Sequence, residues 1–229
     1  SIRLGEDFRE SLGLFNRTCY EGSTSRDQST LCLVPRKAQA REINQARMAD
    51  ISGEQSTFDA ITTGNIQLDK WNSIVETRLQ LKIGARVIFL NNDREWINGD
   101  MGEVVGYGDN SIRVRKLASD NVVNVSMHTW SKYKYVYDYP TKRILKTPTA
   151  TIQQYPIALG WALTIHKSQG MTLQDYMIDL GSGAFGEGQV YVALSRGKTL
   201  KGIRLIRPIS MTDVKVNPIV QEFYKSLAN

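Results

Sequence analysis

The sequence predicts an α/β fold in which helices flank a parallel sheet and a small β-barrel is inserted into the chain. Short buried apolar runs alternate with helical patterns in the first and last parts of the 229 residues. A block of short alternating strands with close turns fills the middle. The length suffices for one large domain or two small ones, so a sheet domain and an insertion fit within it.

The net charge of +6 and the sequence pI of about 9.3 favour a polyanionic partner such as nucleic acid, although a solvated basic surface gives the same balance. Cys19 and Cys32 show neither metal-ligand spacing nor a disulfide framework, which predicts reduced thiols in an intracellular protein. No apolar run approaches transmembrane length and no signal-peptide pattern opens the chain, so we expect no membrane contact. The chain begins at Ser1 without an initiator Met, as a fragment would.

The first part of the chain predicts one strand between two helices. Apolar residues recur at helical spacing within 4–20, and the Gly/Ser-rich stretch 22–25 is expected to end that helix. Residues 31–34 predict a buried strand closed by Pro35, and residues 37–49 predict the helix after it. Strand, short loop and helix form the repeating unit of a parallel sheet.

Arg36 and Lys37 lie in the loop that follows this first strand. Loops at the carboxyl ends of parallel strands carry ligand contacts, so both are candidate contacts for phosphate or DNA. Two ordinary surface cations would look the same.

The middle block predicts the inserted barrel. Residues 56–75 alternate only weakly and predict a strand, a turn and a connector. Within residues 84–147, Asn98-Gly99 is a strong hairpin signal. Further turns at 108–110 and 119–121 separate short β-branched runs, and this pattern is typical of a small barrel.

Residues 130–139, WSKYKYVYDY, interleave aromatic side chains with Lys132 and Lys134. Nucleic-acid bases can stack on exposed rings while lysines meet phosphates, which makes both lysines candidate DNA contacts. An outer barrel strand with half of its tyrosines packed is the structural alternative.

Two polar clusters dominate the last part of the chain. Residues 160–167 predict a helix that delivers the first cluster, which runs from Thr164 to Gly170. Residues 176–180 predict a buried parallel strand, and residues 188–196 predict a second helix that ends in an arginine. This order is typical of α/β nucleotide-dependent motors, which bring charge to the edge of the sheet.

The sequence HKSQG after a hydrophobic helix, then a strand, then GQVYVALSR, resembles the last two signature motifs of superfamily 1 DNA helicases. The variant is that of the Pif and RecD-like group, superfamily 1B, and a strand at 203–206 fits the same order. The middle stretch KIGARVIFLNND…WINGDMGEVV resembles the SH3-like insertion of this group. Asn44 fits the end of the helix that follows the family's motif IV.

This resemblance implies a domain order. Residues 31–83 and 148–229 would form a second RecA-like motor domain, and residues 84–147 an inserted SH3-like barrel. Residues 1–30 would be a helical connector from a first motor domain that the chain lacks.

The resemblance also implies roles for residues in both clusters. Four residues are expected to hold the backbone of single-stranded DNA: Thr164, His166, Lys167 and Ser168. Gln169 and Gly170 are expected on the nucleotide-facing side. Arg196 would be the arginine finger, whose planar guanidinium suits the spread charge of a transferring γ-phosphoryl group. Ser195 is expected to position it, and Gln189 to lie near the nucleotide.

Two nucleotide-binding patterns in this region mislead. Gly197-Lys198-Thr199 looks like the end of a phosphate loop, but Val192 stands where the first glycine belongs, and no G-x-x-x-x-G-K-[ST] occurs in the sequence. Residues 181–186 match G-x-G-x-x-G, yet no acidic residue follows on a second strand at the distance a dinucleotide fold needs.

The predicted function is therefore the C-terminal part of an ATP-dependent 5′-to-3′ DNA helicase. It would use ATP with Mg²⁺, would ligate no metal itself, and would hydrolyse nothing alone. Its expected partners are single-stranded DNA and the absent first motor domain, with forked and G-quadruplex DNA left open, and a monomer is expected. A non-catalytic nucleic-acid-binding module and a dinucleotide oxidoreductase are the alternatives.

Overall fold

The computed structural model describes residues 8–21, 30–64 and 75–227. The chain divides into two compact units, one holding the described residues up to Ala49 and from Gly160 onward, the other Asp50–Leu159. Among the described residues, no helix has the length and apolar character needed to cross a membrane. Cys19 and Cys32 are both buried and neither takes part in a disulfide.

The first unit contains a parallel sheet of four strands in the order β12-β1-β13-β14. Its elements are α1 (Phe8–Cys19), β1 (Leu31–Val34), α2 (Lys37–Ala49), β12 (Ala162–Thr164), β13 (Tyr176–Ile178), α3 (Gln189–Leu194), β14 (Ile203–Leu205) and α4 (Pro218–Leu227). Short 3-10 helices at Leu200–Gly202 and Met211–Asp213 flank β14. Every residue of β1, β12 and β13 is buried, as expected for a parallel strand covered on both faces.

Asparagine amides connect both outer strands of this sheet to helices. On α2, the Asn44 Nδ2 donates to the Ala162 carbonyl and its Oδ1 accepts from the Ala162 N–H, both at 2.9 Å. On α1, Asn16 makes the same pair of bonds to Ile209, after β14, at 2.9 and 2.8 Å. Each amide satisfies one backbone donor and one acceptor, and so substitutes for a further strand.

The predicted elements of this unit are largely confirmed. The helix at 37–49, the strand at 31–34 and the buried strand after Tyr176 are present. The helix predicted within residues 4–20 is α1, whereas the stretch 22–25 expected to end it lies outside the described residues.

The helix predicted at 160–167 is wrong, because Ala162–Thr164 form strand β12 and a tight turn follows. A short run buried on every side has no alternation, so periodicity cannot separate a buried strand from a buried helix.

The second unit consists of antiparallel sheets in the orders β11-β5-β6-β7-β8, β3-β10-β9 and β2-β4. Its strands are β2 (Ser56–Asp59), β3 (Ile61–Gly64), β4 (Arg78–Leu81), β5 (Arg86–Phe89), β6 (Met101–Tyr107), β7 (Ser111–Lys116), β8 (Val122–Ser126), β9 (His128–Asp138), β10 (Arg143–Gln154) and β11 (Ile157–Leu159). The three predicted turns lie between strands, with Gly99 and Asp120 at positive φ. Among the described residues no pairing joins β8 to β11, so closure of this sheet into an SH3-like barrel stays a prediction.

This unit extends beyond the predicted boundaries of 84 and 147. Strand β10 runs without interruption from Arg143 to Gln154, across the predicted exit from the insertion. Strand β11 pairs with β5, and β3 pairs with β10. Backbone pairing therefore groups β3 and β11 with the inserted strands rather than with the parallel sheet, in agreement with the compact unit Asp50–Leu159.

Candidate functional site

The first polar cluster forms a tight turn at the carboxyl end of β12. We call residues 165–170 the His166 turn. The Ile165 N–H donates to the Val34 carbonyl of β1 at 2.9 Å, and the Ser168 N–H donates to the Thr164 carbonyl at 3.2 Å. Gly170 ends the turn at a φ of 86°, where most side chains would be strained.

Two hydroxyls of the cluster hold this turn together. The Thr164 Oγ1 accepts from the Lys167 N–H at 3.3 Å, and the Ser168 Oγ donates to the Ile165 carbonyl at 2.8 Å. Thr164 is 6% exposed and Ser168 is fully buried. These hydroxyls shape the backbone of the turn, and their expected contact with DNA stays a prediction.

The remaining side chains of the cluster face outward. His166, Gln169 and Gly170 are exposed, and Lys167 is half-buried. The buried hydroxyls thus fix a backbone that presents one imidazole and one ammonium group.

Arg36 and Lys37 follow the adjacent strand β1 and are both exposed. Because β1 and β12 are parallel neighbours, their carboxyl ends place these cations at the same edge of the sheet as the His166 turn. The Arg36 guanidinium donates from NH1 to the Gly183 carbonyl at 3.2 Å and lies 5.3 Å from the centroid of the Phe185 ring. Arg36 therefore already supports a neighbouring loop.

That loop, residues 181–188, connects β13 to α3, and we call it the glycine loop. Six of its backbone N–H groups donate within the chain: Gly181, Gly183, Ala184, Phe185, Gly186 and Gly188. A dinucleotide site needs such N–H groups to point at the pyrophosphate. Here they are already bonded, which argues against the oxidoreductase alternative.

Gln189 is the first residue of α3 and is only 2% exposed. Its Oε1 accepts from the N–H groups of Phe185 and Gly186 at 3.0 Å each, while its Nε2 is buried without a hydrogen-bond partner. The structure therefore places this predicted nucleotide contact inside the glycine loop, where it holds the entry to α3.

An ion pair that the sequence did not indicate supports the same loop. The Arg207 guanidinium binds the Asp213 carboxylate through two contacts of 2.8 Å and donates to the Gly181 carbonyl at 3.0 Å. Burial alone would raise the pKa of Asp213, but hydrogen bonds from Arg207 and Ser210 hold it well below its usual range. The two residues lie only six positions apart, yet nothing in their spacing distinguishes a loop-anchoring pair from two surface charges.

Arg196 follows α3 and is half-buried. Its Nε donates to the Val192 carbonyl at 3.0 Å, NH1 to the Met171 carbonyl at 3.2 Å, and NH2 to the Ser195 Oγ at 2.9 Å. These bonds use three of the five guanidinium N–H groups, which leaves two for a ligand. Ser195 thus contacts the Arg196 guanidinium, and its expected role of positioning an arginine finger stays a prediction.

Arg196 lies near the starts of β13 and β14. The Leu173 N–H donates to the Arg196 carbonyl at 2.9 Å, and the Lys198 N–H donates to the Leu173 carbonyl at 3.1 Å. The short segment from Gly170 to Leu173 therefore connects the His166 turn directly to the arginine. Nothing in the sequence indicated that Met171 contacts Arg196, because a backbone acceptor leaves no signal in the residue type.

The other predicted DNA contacts lie on the long β9–β10 hairpin of the second unit. Lys132 and Lys134 are exposed, and so are the tyrosines between and beyond them. Successive side chains of a strand point to opposite faces, so the lysines and the tyrosines occupy different faces of the hairpin. The interleaved pattern in the sequence does not form one mixed surface.

Among the described residues, no group of three or more potential metal ligands lies together. A cavity of about 460 Å³ opens beside α2, and none of the residues predicted to bind nucleotide lines it. Its lining residues are Thr30, Cys32, Gln39, Glu42, Ile43, Ala46, Arg47, Trp161, Met177, Asp179 and Ile206.

No protein-family model matches the chain. The ATP-dependent DNA helicase Pif1 of Bdellovibrio bacteriovorus is 38% identical over 200 residues, which cover 84% of this chain and 42% of that protein. The chain thus spans less than half the length of this relative, and the matched region is a C-terminal portion.

Solved structures give the same result. Unliganded Pif1 from Bacteroides sp. matches with a TM-score of 0.82 and 28% identity, over 100% of this chain and 52% of that one. Bacteroides Pif1 bound to single-stranded DNA matches with a TM-score of 0.65 and 30% identity, over 100% of this chain and 53% of that one. The likeness confirms the predicted α/β fold class.

Proposed function

The chain belongs to the Pif1 family of DNA helicases, and from this relationship we propose that it is the part of an ATP-dependent 5′-to-3′ helicase that grips single-stranded DNA and supplies an arginine finger. A first RecA-like motor domain would hold the phosphates and Mg²⁺ of ATP. The parallel unit would be the second motor domain, with Asp50–Leu159 inserted into it and α1 as the connector.

One observation carries this proposal. The His166 turn presents His166 and Lys167, and five residues after the histidine the Met171 carbonyl accepts a hydrogen bond from Arg196. A DNA-facing group and a nucleotide-facing group are thereby joined through one short backbone segment.

This connection suggests how the motor would work. ATP binds between the two motor domains, and their closure brings the remaining N–H groups of Arg196 to the γ-phosphate, where they stabilise transferring charge. Any shift of Arg196 acts on the Met171 carbonyl and so on the His166 turn. Lys167 then changes its hold on the DNA backbone, and repeated cycles advance the strand.

The expected ligands follow from the same assignment. Side chains that contact phosphates do not read base sequence, so single-stranded DNA of any composition should bind. Forked and G-quadruplex DNA are further candidate substrates of the whole helicase. We expect it to act as an intracellular monomer.

Fluorescence anisotropy with labelled single-stranded DNA tests the proposed grip. Lys167→Ala should weaken binding equally for different base sequences and lower the salt slope by about 0.7, the value for one phosphate contact. Lys201→Ala removes an exposed charge elsewhere in the same unit and is the matched control. Equal affinities for the two variants would contradict the assignment.

Phosphate release tests whether the ATP site is shared between this chain and a first motor domain. We expect no ATP hydrolysis by the 229-residue chain in a malachite-green assay, because no phosphate loop occurs in it. DNA-stimulated release by this chain would refute the proposal. A complete reading frame without G-x-x-x-x-G-K-[ST] upstream would favour the non-catalytic binding module instead.

A further inference from the structure

The outer part of the β9–β10 hairpin is exposed on both faces. Every residue from Lys132 to Thr149 is exposed except the half-buried Asp138. A two-stranded ribbon without a covering layer has little apolar burial of its own. Its side chains are therefore available to a ligand rather than to a core.

One face of this ribbon, which we call the tyrosine face, carries Tyr133, Tyr135 and Tyr137 at alternate positions of β9. Their spacing along the strand is about 6.8 Å. Tyr135 is 66% exposed and the others more than 40%. A row of exposed rings along one strand suits successive bases of an extended single strand.

The cation of the tyrosine face is Lys146 on β10. Lys146 pairs in register with Tyr135, and its Nζ lies 3.8 Å from the centroid of the Tyr133 ring. Lys132 and Lys134 project from the other face, where Lys134 pairs with Thr147. A strand stacked on the rings would therefore meet Lys146 and not the two lysines that alternate with the tyrosines in the sequence.

The charge of the hairpin is complementary to a polyanion. Residues 128–154 hold five cations and one anion, a net charge of +4. The single carboxylate, Asp138, accepts hydrogen bonds from the Thr141 N–H and hydroxyl in the connecting turn. It is thereby kept at the tip, beyond the row of rings.

We propose that the tyrosine face is a stacking platform for single-stranded nucleic acid, with Tyr135 and Tyr137 receiving bases and Lys146 meeting a phosphate. This inference rests on the proposed function for the class of its ligand. It assigns the base contacts of the chain to this face, separate from the backbone contacts of the His166 turn.

The test compares substitutions on the two faces of the ribbon in the 229-residue chain. Tyr135→Ala should weaken binding of labelled single-stranded DNA about tenfold, the loss of one stacked base. Tyr135→Phe should restore most of the affinity because stacking needs the ring and not the hydroxyl. Val136→Ala on the opposite face is the control and should bind like the wild type, with circular dichroism confirming that every variant folds.

An oligonucleotide of abasic sites separates stacking from charge. It keeps the phosphates and lacks the bases, so the effect of Tyr135→Ala should vanish on it while that of Lys167→Ala persists. If Lys167→Ala weakens binding to normal DNA and Tyr135→Ala does not, the platform is refuted and the proposed function stands. If the wild-type chain binds no DNA, both fail.

Discussion

The His166 turn and the β9–β10 hairpin both present cations to solvent, but they are supported in opposite ways. In the turn, buried hydroxyls of Thr164 and Ser168 hold the backbone that positions His166 and Lys167. In the hairpin, strand alternation alone decides which face a side chain occupies. The proposed role of the first region would therefore also depend on buried residues that a ligand cannot reach, and that of the second on the exposed residues themselves.

This contrast predicts that substitutions in the parallel unit have large, coupled effects and substitutions on the hairpin small, additive ones.

The largest effect is expected at Arg196 in the complete helicase. Arg196→Ala should lower the DNA-stimulated ATPase rate by about 10³-fold or more, because the proposed arginine finger would stabilise transferring charge. Steady-state phosphate release measures it, and DNA binding should persist. Arg196→Lys should not rescue the rate, since an ammonium lacks the planar fork.

The next largest effect is on folding. Asn44→Ala leaves the N–H and carbonyl of Ala162 without partners inside the protein, which should lower the free energy of unfolding by roughly 3 kcal/mol. Chemical denaturation followed by circular dichroism measures the change. Gln45→Ala on the exposed side of the same helix should stay within about 0.5 kcal/mol of the wild type. Similar midpoints for the two variants would show that the amide does not support the sheet edge.

Asp213→Asn should lower the free energy of unfolding by about 2 kcal/mol, because it weakens the bidentate contact with Arg207. The pKa of Asp213 is lowered on folding, so its contribution is complete above the unfolded pKa of about 3.9 and is lost as the pH falls from there through the folded value. The stability difference between wild type and variant should therefore narrow below about pH 4. If the stability difference between wild type and variant stayed constant as the pH fell below about 4, the ion pair would not be its cause.

The smallest effects are expected for the two lysines of the hairpin. Lys132→Ala and Lys134→Ala should each have a free energy of unfolding within about 0.5 kcal/mol of the wild type, because both side chains are exposed. Each should lower the salt slope of DNA binding by at most about 0.7. Cooperative loss in the double variant would contradict the additive behaviour expected of this face.

Sequence patterns found the elements that have a clear period and missed those that do not. The helix Lys37–Ala49 has apolar residues on one stripe, and its bounds are as predicted. Strand β12 is buried throughout, so its residues gave no alternation and suggested a helix. Thr164 and Lys167 look equally polar in the sequence, and only the structure separates the hydroxyl inside the turn from the ammonium group at its surface.

The candidate site shows the same limit. The motif residues located both clusters, but contacts made through backbone atoms left no trace in the residue types. The Met171 carbonyl that accepts from Arg196 is one such contact, and the six bonded N–H groups of the glycine loop are others. The pairing of β11 with β5 also left no local signal, because it joins residues that lie far apart in the sequence.

The register of β9 and β10 shifts between Pro148 and Ala150. This irregularity divides β10 into an exposed outer half and an inner half that is anchored beside β3. A bulge bends a ribbon locally while the ladders on both sides stay intact. The outer half should therefore leave the line of the inner half at this position, so that the direction in which the exposed side chains point is set by the bulge and not by the inner half alone.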